Sequence, residues 1–428
     1  MRDRKIIELD GRTGEGGGQV VRVAVALSAL TGTPVRIHHV RGNRGGGRGG
    51  GMWWDLAVVK SDDADKTTGL KAQHASSVFL LAEVTEAHIT GCFVGSTDFT
   101  FIPTQGPAQL LSRKIVVDTG SAASTLLIFQ AVLPFFLFAG DQNASPIKLI
   151  IKGGTNVSFS LSYEYLDQVV LPSLELIGVP RLNRKLIGRG WTHGTREVGE
   201  LQVQLTPLAP CEALQVSSWP KASAPGNLSR IDISIVVPQN LRVPLTKALK
   251  LNLEDAFPGI ESAVVVDDDS RHPARVYTLL VAHMSSGFRL GRDWLYDRST
   301  KNKSAEQLAT EIARKIVLDL RSEIRKGGCM DEYLQDQLVI FQALADGRST
   351  VCNSAEDLNG TKERLERTEI PFGIGSLHTM TARWVVSQML PGMKWFNKGT
   401  ICEGIGWRCD SPAPLEREFG GLKIREPA

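Results

Sequence analysis

A chain of 428 residues, 42% hydrophobic and 22% charged, has the balance of an ordinary globular protein and exceeds the length at which one core keeps growing. A large domain with a smaller companion is therefore expected. The net charge of +3 neither demands nor rules out a polyanionic partner, and no stretch approaches the ~20 apolar residues of a membrane span. The longest candidate, Ala123 to Ala139, is interrupted by Gln130 and Pro134 and fits a buried helix instead. Six scattered cysteines (92, 211, 329, 352, 402, 409) form no CxxC pair and have no histidine at zinc spacing. They read as free thiols of a reducing compartment. Met1 to Lys5 leads straight into strand-like Ile6 to Leu9 without a signal-peptide core, so a nuclear (nucleoplasmic) or cytoplasmic protein is expected, not a secreted one.

In chain order, one theme recurs four times: a turn opens an apolar helix that is followed by a β-branched strand. Gly14 to Gly18 leads into Val20 to Leu30 and then Pro34 to His38; Asp118 to Ser121 leads into Thr125 to Phe138 and then Ile147 to Lys152. Asp331 to Gln337 opens Leu338 to Ala345 before Ser349 to Val351, and Leu377 to Thr381 opens Ala382 to Met389 before Met393 to Phe396. Repeated units of this kind predict an α/β (α+β) architecture of duplicated βα modules. Between Val216 and Arg325 the texture changes. A loop rich in Ser, Pro and Gly precedes strand-like Ile231 to Val237, helix-like Leu241 to Phe257, strands near Ala263 to Val266 and Val276 to Ala282, and an amphipathic helix opened by the capping box Ser304 to Gln307. This predicts a smaller α/β domain, 217–325, inserted into a large discontinuous one, 1–216 with 326–428; Gly327-Gly328 would stop the last helix. The glycine-rich segment within 45–68 predicts a mobile loop.

Chemistry concentrates in a few places. Gly14-Glu15-Gly16-Gly17-Gly18 before an apolar helix could offer backbone N–H groups to phosphate, although glycine turns before helices are common. Glu15 there could hold a divalent ion that bridges to phosphate. Arg22 is a cation on an otherwise apolar stretch, and a solvated arginine is the simpler reading. Residues 36–48 hold four arginines, two histidines and no acid, and Arg41 with Arg44 could clamp a terminal phosphate. Gln73-His74 follows at another helix start. His378 stands alone among Ser376, Thr379 and Thr381, which could hold its ring; largely neutral at pH 7, it can attack phosphorus without a strong base. A lone histidine at a helix start is more often structural. Tyr333 offers an aromatic face to a base, and Asp336 with Gln337 could bind a ribose or a metal's waters, though a capped helix explains the acids as well.

The order of these motifs is more specific than any one of them. Leu9-Asp10-Gly11, Gly14 to Arg22, Val40 to Arg44, Gly69 to His74, Gly120-Ser121-Ala122, Gly153 to Asn156, Asp331 to Gln337, His378 to Ala382 and Cys402 to Gly406 together resemble the RNA 3'-terminal phosphate cyclase family, its eukaryotic branch above all. The resemblance runs from about residue 6 to residue 407. It implies a large domain of repeated βα units with a small inserted domain, in agreement with the change of texture. It also implies an ATP-dependent enzyme in which His378 takes AMP from ATP and passes it to an RNA 3'-phosphate, after which the 2'-hydroxyl closes a 2',3'-cyclic phosphate.

By the same resemblance Glu15 would bind the metal (Mg or Mn). Gln130, Tyr165, Tyr333, Leu334, Gln335, Asp336 and Gln337 would line the ATP site, while Arg22, Arg41, Arg44, Gln73 and His74 would hold the RNA end. The chain departs from the family's pattern at Ser160-Leu161 and Glu164-Tyr165, where Ala-Pro and Asp-Tyr are usual, at Thr192 to Gly199, and in the insertion between Gly45 and Thr68. Two other classes compete: a catalytically inactive cyclase-like protein of ribosomal RNA processing, which would lack the nucleophilic histidine, and a small-molecule transferase, which would carry a catalytic Cys or Lys.

Overall fold

The stretch from Val20 to Leu30 is apolar all round apart from Arg22 and Ser28, and a helix without a polar face must be buried. In the computed structural model, which describes residues 5–43, 68–216, 225–352, 354–356 and 363–409, α1 (Gly18–Thr31) is buried at every residue up to Leu30. It ends where Gly32, in the left-handed region at φ 70°, returns its N–H to the Ser28 carbonyl. Residues 44–67, which include nearly all of the expected mobile loop, lie outside the described residues.

α1 is the crossover between β1 (Ile7–Asp10) and β2 (Val35–His38), which pair in parallel. α2 (Ala72–Val84) then leads to a hairpin of β3 (His88–Thr90) and β4 (Asp98–Ile102), giving the order β1-β2-β4-β3 with all pairs but the first antiparallel. The next segment repeats this plan. β5 (Lys114–Asp118), α3 (Thr125–Leu137) and β6 (Ile147–Gly153) form the parallel crossover. α4 (Tyr163–Tyr165), a π-turn over Leu166–Val170 and α5 (Leu171–Leu176) take the place of α2. The hairpin of β7 (Asn183–Gly188) and β8 (Gly199–Leu205) completes the order β5-β6-β8-β7.

A different sheet follows: β9 (Leu228–Val237), β10 (Glu261–Asp269), β11 (Tyr277–Met284) and β12 (Arg289–Leu295), in the order β10-β9-β11-β12. α6 (Gln239–Ala256) and α7 (Ala305–Arg325) pack on each other and on this sheet. The Ser304–Gln307 capping box is formed as read, with Ser304 Oγ accepting from the Gln307 N–H at 3.2 Å. α7 stops before Gly327, whose φ of 69° suits glycine.

The chain then returns to the first plan. α8 (Glu332–Leu344), β13 (Arg348–Thr350), β14 (Arg364–Leu365), α9 (Leu377–Met389), β15 (Lys394–Phe396) and β16 (Ile401–Glu403) build a sheet ordered β13-β16-β15-β14. Its β13-β16-β15 matches β2-β4-β3. The place of a first strand is marked by Gln215, which bridges in parallel to Asp346 just ahead of β13. A third copy of the unit is thus interrupted between its first strand and its first helix. α1, α3, α8 and α9 pack against one another as a shared layer between the copies.

Both C-terminal helices begin earlier than the apolar pattern alone suggests. Asp331 and Ser376 are their N-caps, so the polar runs 332–337 and 377–381 form the opening turns of α8 and α9. Strand β12 and the two hairpins have no counterpart in the sequence reading.

Charged and hydroxyl groups fill the junction between the β9–β12 sheet and the preceding unit. Arg189 reaches both Glu164 and Asp268. Asp293 accepts from Tyr277 at 3.0 Å and from Ser162 at 3.3 Å. Burial still pushes the Asp293 carboxyl up to about 6, outweighing those two donors. The folded protein therefore holds more protons on Asp293 than the unfolded chain between pH ~4 and ~6, and this group's contribution to stability falls as pH rises through that window. Asp293→Asn should remove the dependence. In urea titrations at pH 4 and pH 7, the variant should gain on the wild type by on the order of 2 kcal/mol, allowing for partial exposure; an unchanged difference would show that Asp293 titrates in the folded protein as it does in the unfolded chain.

Candidate active site

Ser376 caps α9 by accepting the Thr379 N–H at 3.1 Å, which places His378 in the helix's first turn. Its Nδ1 lies 3.1 Å from Glu15 Oε2. The two differ sharply in environment, the imidazole being 49% exposed and the carboxylate 8%. The Glu15 hydrogen bond, with further attraction from Asp336, raises the proton affinity of His378 against the opposing effect of burial. With Nδ1–H committed to Glu15, the lone pair of the neutral ring belongs to Nε2. Thr381, expected to hold the histidine ring, holds Glu15 instead, its Oγ1 accepting the Glu15 N–H at 3.0 Å. Gly14 packs so closely that a Cβ there would stand 2.2 Å from the same Oγ1.

Below this pair lies a buried polar chain. Arg22, only 7% exposed, donates to Gln130 of α3 at 2.8 Å and to Gln19 one turn earlier. Gln19 in turn donates to Asp336 at 3.2 Å, and Gln337 donates to the same carboxylate oxygen at 3.1 Å. Burial pushes the Asp336 carboxyl up, while His378, Gln337 and Arg22 pull it down. His74, at the start of α2, accepts the Lys71 N–H on Nδ1 at 3.3 Å. Burial and the charges of Arg22 and Arg41 hold it well below the usual histidine range, so it is a neutral imidazole. Its Nε2 faces Gly18, where an added Cβ would approach to 2.2 Å and meet Arg22 Nη1 at 2.6 Å.

A narrow cleft of about 30 Å³ adjoins the chain, with Arg22, Gln130, Asp336 and Gln337 in its lining and an apolar wall including Phe129 and Leu161. Of the residues expected around ATP, Gln130, Asp336 and Gln337 meet there. Tyr333 is 37% exposed with the Arg292 guanidinium 4.8 Å from its ring centre. Tyr165, Leu334 and Gln335 are buried; Tyr165 gives its hydroxyl to Asp331 at 2.5 Å and meets Tyr333 edge-to-face. Of the residues expected at the RNA end, Arg22 and His74 are within this buried group and Gln73 precedes His74 on α2. Arg41 is half-buried in a left-handed turn, its charge acting on both His74 and Lys71, and Arg44 lies outside the described residues.

Gln19 was not singled out from sequence, although its position three residues before Arg22 puts both on one helix face. At the departures from the family pattern, Ser160 bonds the α3 cap Ser124, Leu161 lines the cleft, and Glu164 turns inward to Asn156 and Arg189.

A histidine paired with a carboxylate beside a buried arginine network is an arrangement able to do nucleophilic or acid–base chemistry. The family profile described as RNA 3'-terminal phosphate cyclase matches residues 13–393, and the chain belongs to that family, whose members are ligase-type enzymes. It is similar to the RNA 3'-terminal phosphate cyclase of Drosophila melanogaster, with 28% identity over 377 residues covering 87% of this chain and 93% of the relative. The RNA 3'-terminal phosphate cyclase of Pyrococcus furiosus is 30% identical over 353 residues (82% and 90%), and that of Desulfurococcus amylolyticus 31% over 352 (81% and 87%).

Thr381→Val should strip the Glu15 N–H of its acceptor and cost about 1–3 kcal/mol in chemical denaturation. A stability equal to wild type would show that Thr381 does not hold the Glu15 turn.

Proposed function

We propose that this protein converts RNA 3'-terminal phosphate to 2',3'-cyclic phosphate at the expense of ATP, through a covalent histidine–AMP intermediate. The observation that carries the reading is the pairing of His378 Nδ1 with Glu15, which leaves Nε2 of the half-exposed ring as the nucleophile. Nε2 attacks the α-phosphorus of ATP and pyrophosphate leaves. The RNA 3'-phosphate takes AMP from the histidine, and the vicinal 2'-hydroxyl then attacks that activated phosphate and expels AMP. A phosphate monoester repels nucleophiles and lacks a good leaving group, so adenylylation divides one difficult displacement into easier ones.

The nucleoside would lie at the mouth of the cleft beside Arg22, Gln130, Asp336 and Gln337, and exposed Tyr333 would flank it. Arg22 would hold phosphate oxygens, with Arg41, Arg44, Gln73 and His74 toward the RNA terminus. A carboxylate next to phosphate oxygens is a donor set that suits a hard cation, so Glu15 fits a magnesium or manganese ion that would neutralise phosphate charge. Such a site on a few phosphates explains how a chain of net charge +3 could select an RNA end. We extend the reading to the division into 1–216 with 326–428 and an insert 217–325, and to a nuclear or cytoplasmic setting.

Incubated with ATP and Mg²⁺ without RNA, the wild type should gain the mass of AMP, while a folded His378→Ala variant should not. No adduct on the wild type together with no ATP binding would favour a catalytically inactive cyclase-like protein. Arg41→Ala should lower the use of 3'-phosphorylated RNA at least tenfold while changing self-adenylylation by less than about threefold, since a lost phosphate contact of a few kcal/mol acts only on the acceptor step. Equal losses in both steps would remove Arg41 from the acceptor site.

A further inference from the structure

Asp10 and His38 are register partners on the parallel strands β1 and β2, so their side chains project from the same face. The next residue of an extended chain would point the opposite way, but His39 has a left-handed backbone at φ 52° and swings its ring back beside His38. Its Nδ1 ends 2.8 Å from His38 Nδ1 and 3.6 Å from Asp10 Oδ1. One oxygen and two ring nitrogens thus lie within 4.8 Å of one another. We propose that Asp10, His38 and His39 form a binding site for a divalent transition-metal ion, separate from His378 and independent of the reaction proposed there.

Several features of the cluster suit a ligand. Two imidazole nitrogens at 2.8 Å have room for one proton between them, and a cation bound to both would take its place. Zinc bonds to nitrogen and oxygen at ~2.0–2.2 Å, which puts tetrahedral ligand atoms about 3.3–3.6 Å apart, within reach of small ring rotations here. Arg12 holds the carboxylate from outside, its Nη2 2.6 Å from Asp10 Oδ2 and its Nε shared with Oδ1. That contact keeps Asp10 ionised, with its carboxyl lowered to about 2, and orients Oδ1 as a second-layer hydrogen bond orients a metal-bound acid. Two imidazoles and one carboxylate select zinc, cobalt, nickel or copper over magnesium, and three protein ligands leave one coordination position open. The ion would join the end of β1, which leads to Glu15, to the turn that carries Arg41.

Tag-free protein stripped with a chelator is titrated with zinc against a chromogenic zinc indicator, and cobalt(II) is added separately to record its visible absorption. The wild type should take up one equivalent with a tetrahedral cobalt band. His39→Ala and His38→Ala should each bind at least tenfold more weakly and lose the band, whereas His378→Ala should bind as the wild type does. Circular dichroism checks the fold of each variant, and Asp10→Asn, which keeps the shape of the side chain, serves where a histidine variant does not fold. Equal uptake by the wild type and His39→Ala, loss of uptake in His378→Ala, or no stoichiometric uptake by the wild type would each overturn the assignment.

Discussion

A guanidinium buried in an apolar helix is the constraint around which this site is organised. An arginine that is 7% exposed cannot be left without acceptors, because the cost of an unpaired buried charge is several kcal/mol. Arg22 finds Gln19 on its own helix and Gln130 on α3, and Gln19 passes the contact on to Asp336 of α8. Three helices from three sheet units are thereby fixed in register. The same charge acts on His378 and His74, pulling down the proton affinity of each. Its neighbours answer in opposite ways: His378 has an acid directly on its ring and charges more readily, whereas His74 has none and stays neutral.

The repeated unit explains why these groups meet. α1, α2, α8 and α9 each contribute from their first two turns: Gly18 and Arg22, His74, Asp336 and Gln337, and His378. Equivalent helix starts in the copies point to a common edge, and that edge concentrates positive dipole ends. It suits phosphate. The glycine turn contributes mainly through close packing: Gly14 lets Thr381 approach and Gly18 lets His74 approach, while the Glu15 N–H is spent on Thr381. A turn that reads in sequence as a phosphate cradle also serves as the bearing surface between α1, α2 and α9.

The helix-then-strand theme was legible because α1 and α3 are buried at nearly every residue and their apolar runs are broken only by single residues such as Arg22, Gln130 and Pro134. α8 and α9 were legible as elements but not in extent, because their opening turns are polar and lie toward the site, where apolar periodicity gives no signal. β3 has only three residues, β7 has no fully buried position, and β12 buries Leu290, Gly291 and Arg292 in succession, so none of them shows a clear alternation of apolar and polar residues. His378 and Glu15 were individually visible; their pairing was not, since 363 positions separate them and only the packing of α9 on α1 joins them. Tyr165, read from its motif as a wall of the nucleotide site, is buried and also forms a strut between the π-turn region and Asp331.

That strut leads to the part of the molecule that composition marks as foreign to the repeat. Asp331 accepts four donors: the Tyr165 hydroxyl, the N–H groups of Tyr333 and Leu334 that open α8, and the N–H of Gly291 on β12 at 2.8 Å. Burial pushes this carboxyl up, only partly offset by Arg292 and the donors, and the same Arg292 lies over the Tyr333 ring and binds Glu323 of α7. The helix that presents Asp336 and Gln337 to the cleft is therefore anchored at its N-cap by the β9–β12 sheet. An element inserted between the first strand and first helix of the third repeat does more than extend the chain, because its β12 edge determines where that first helix begins and which way its polar turn faces.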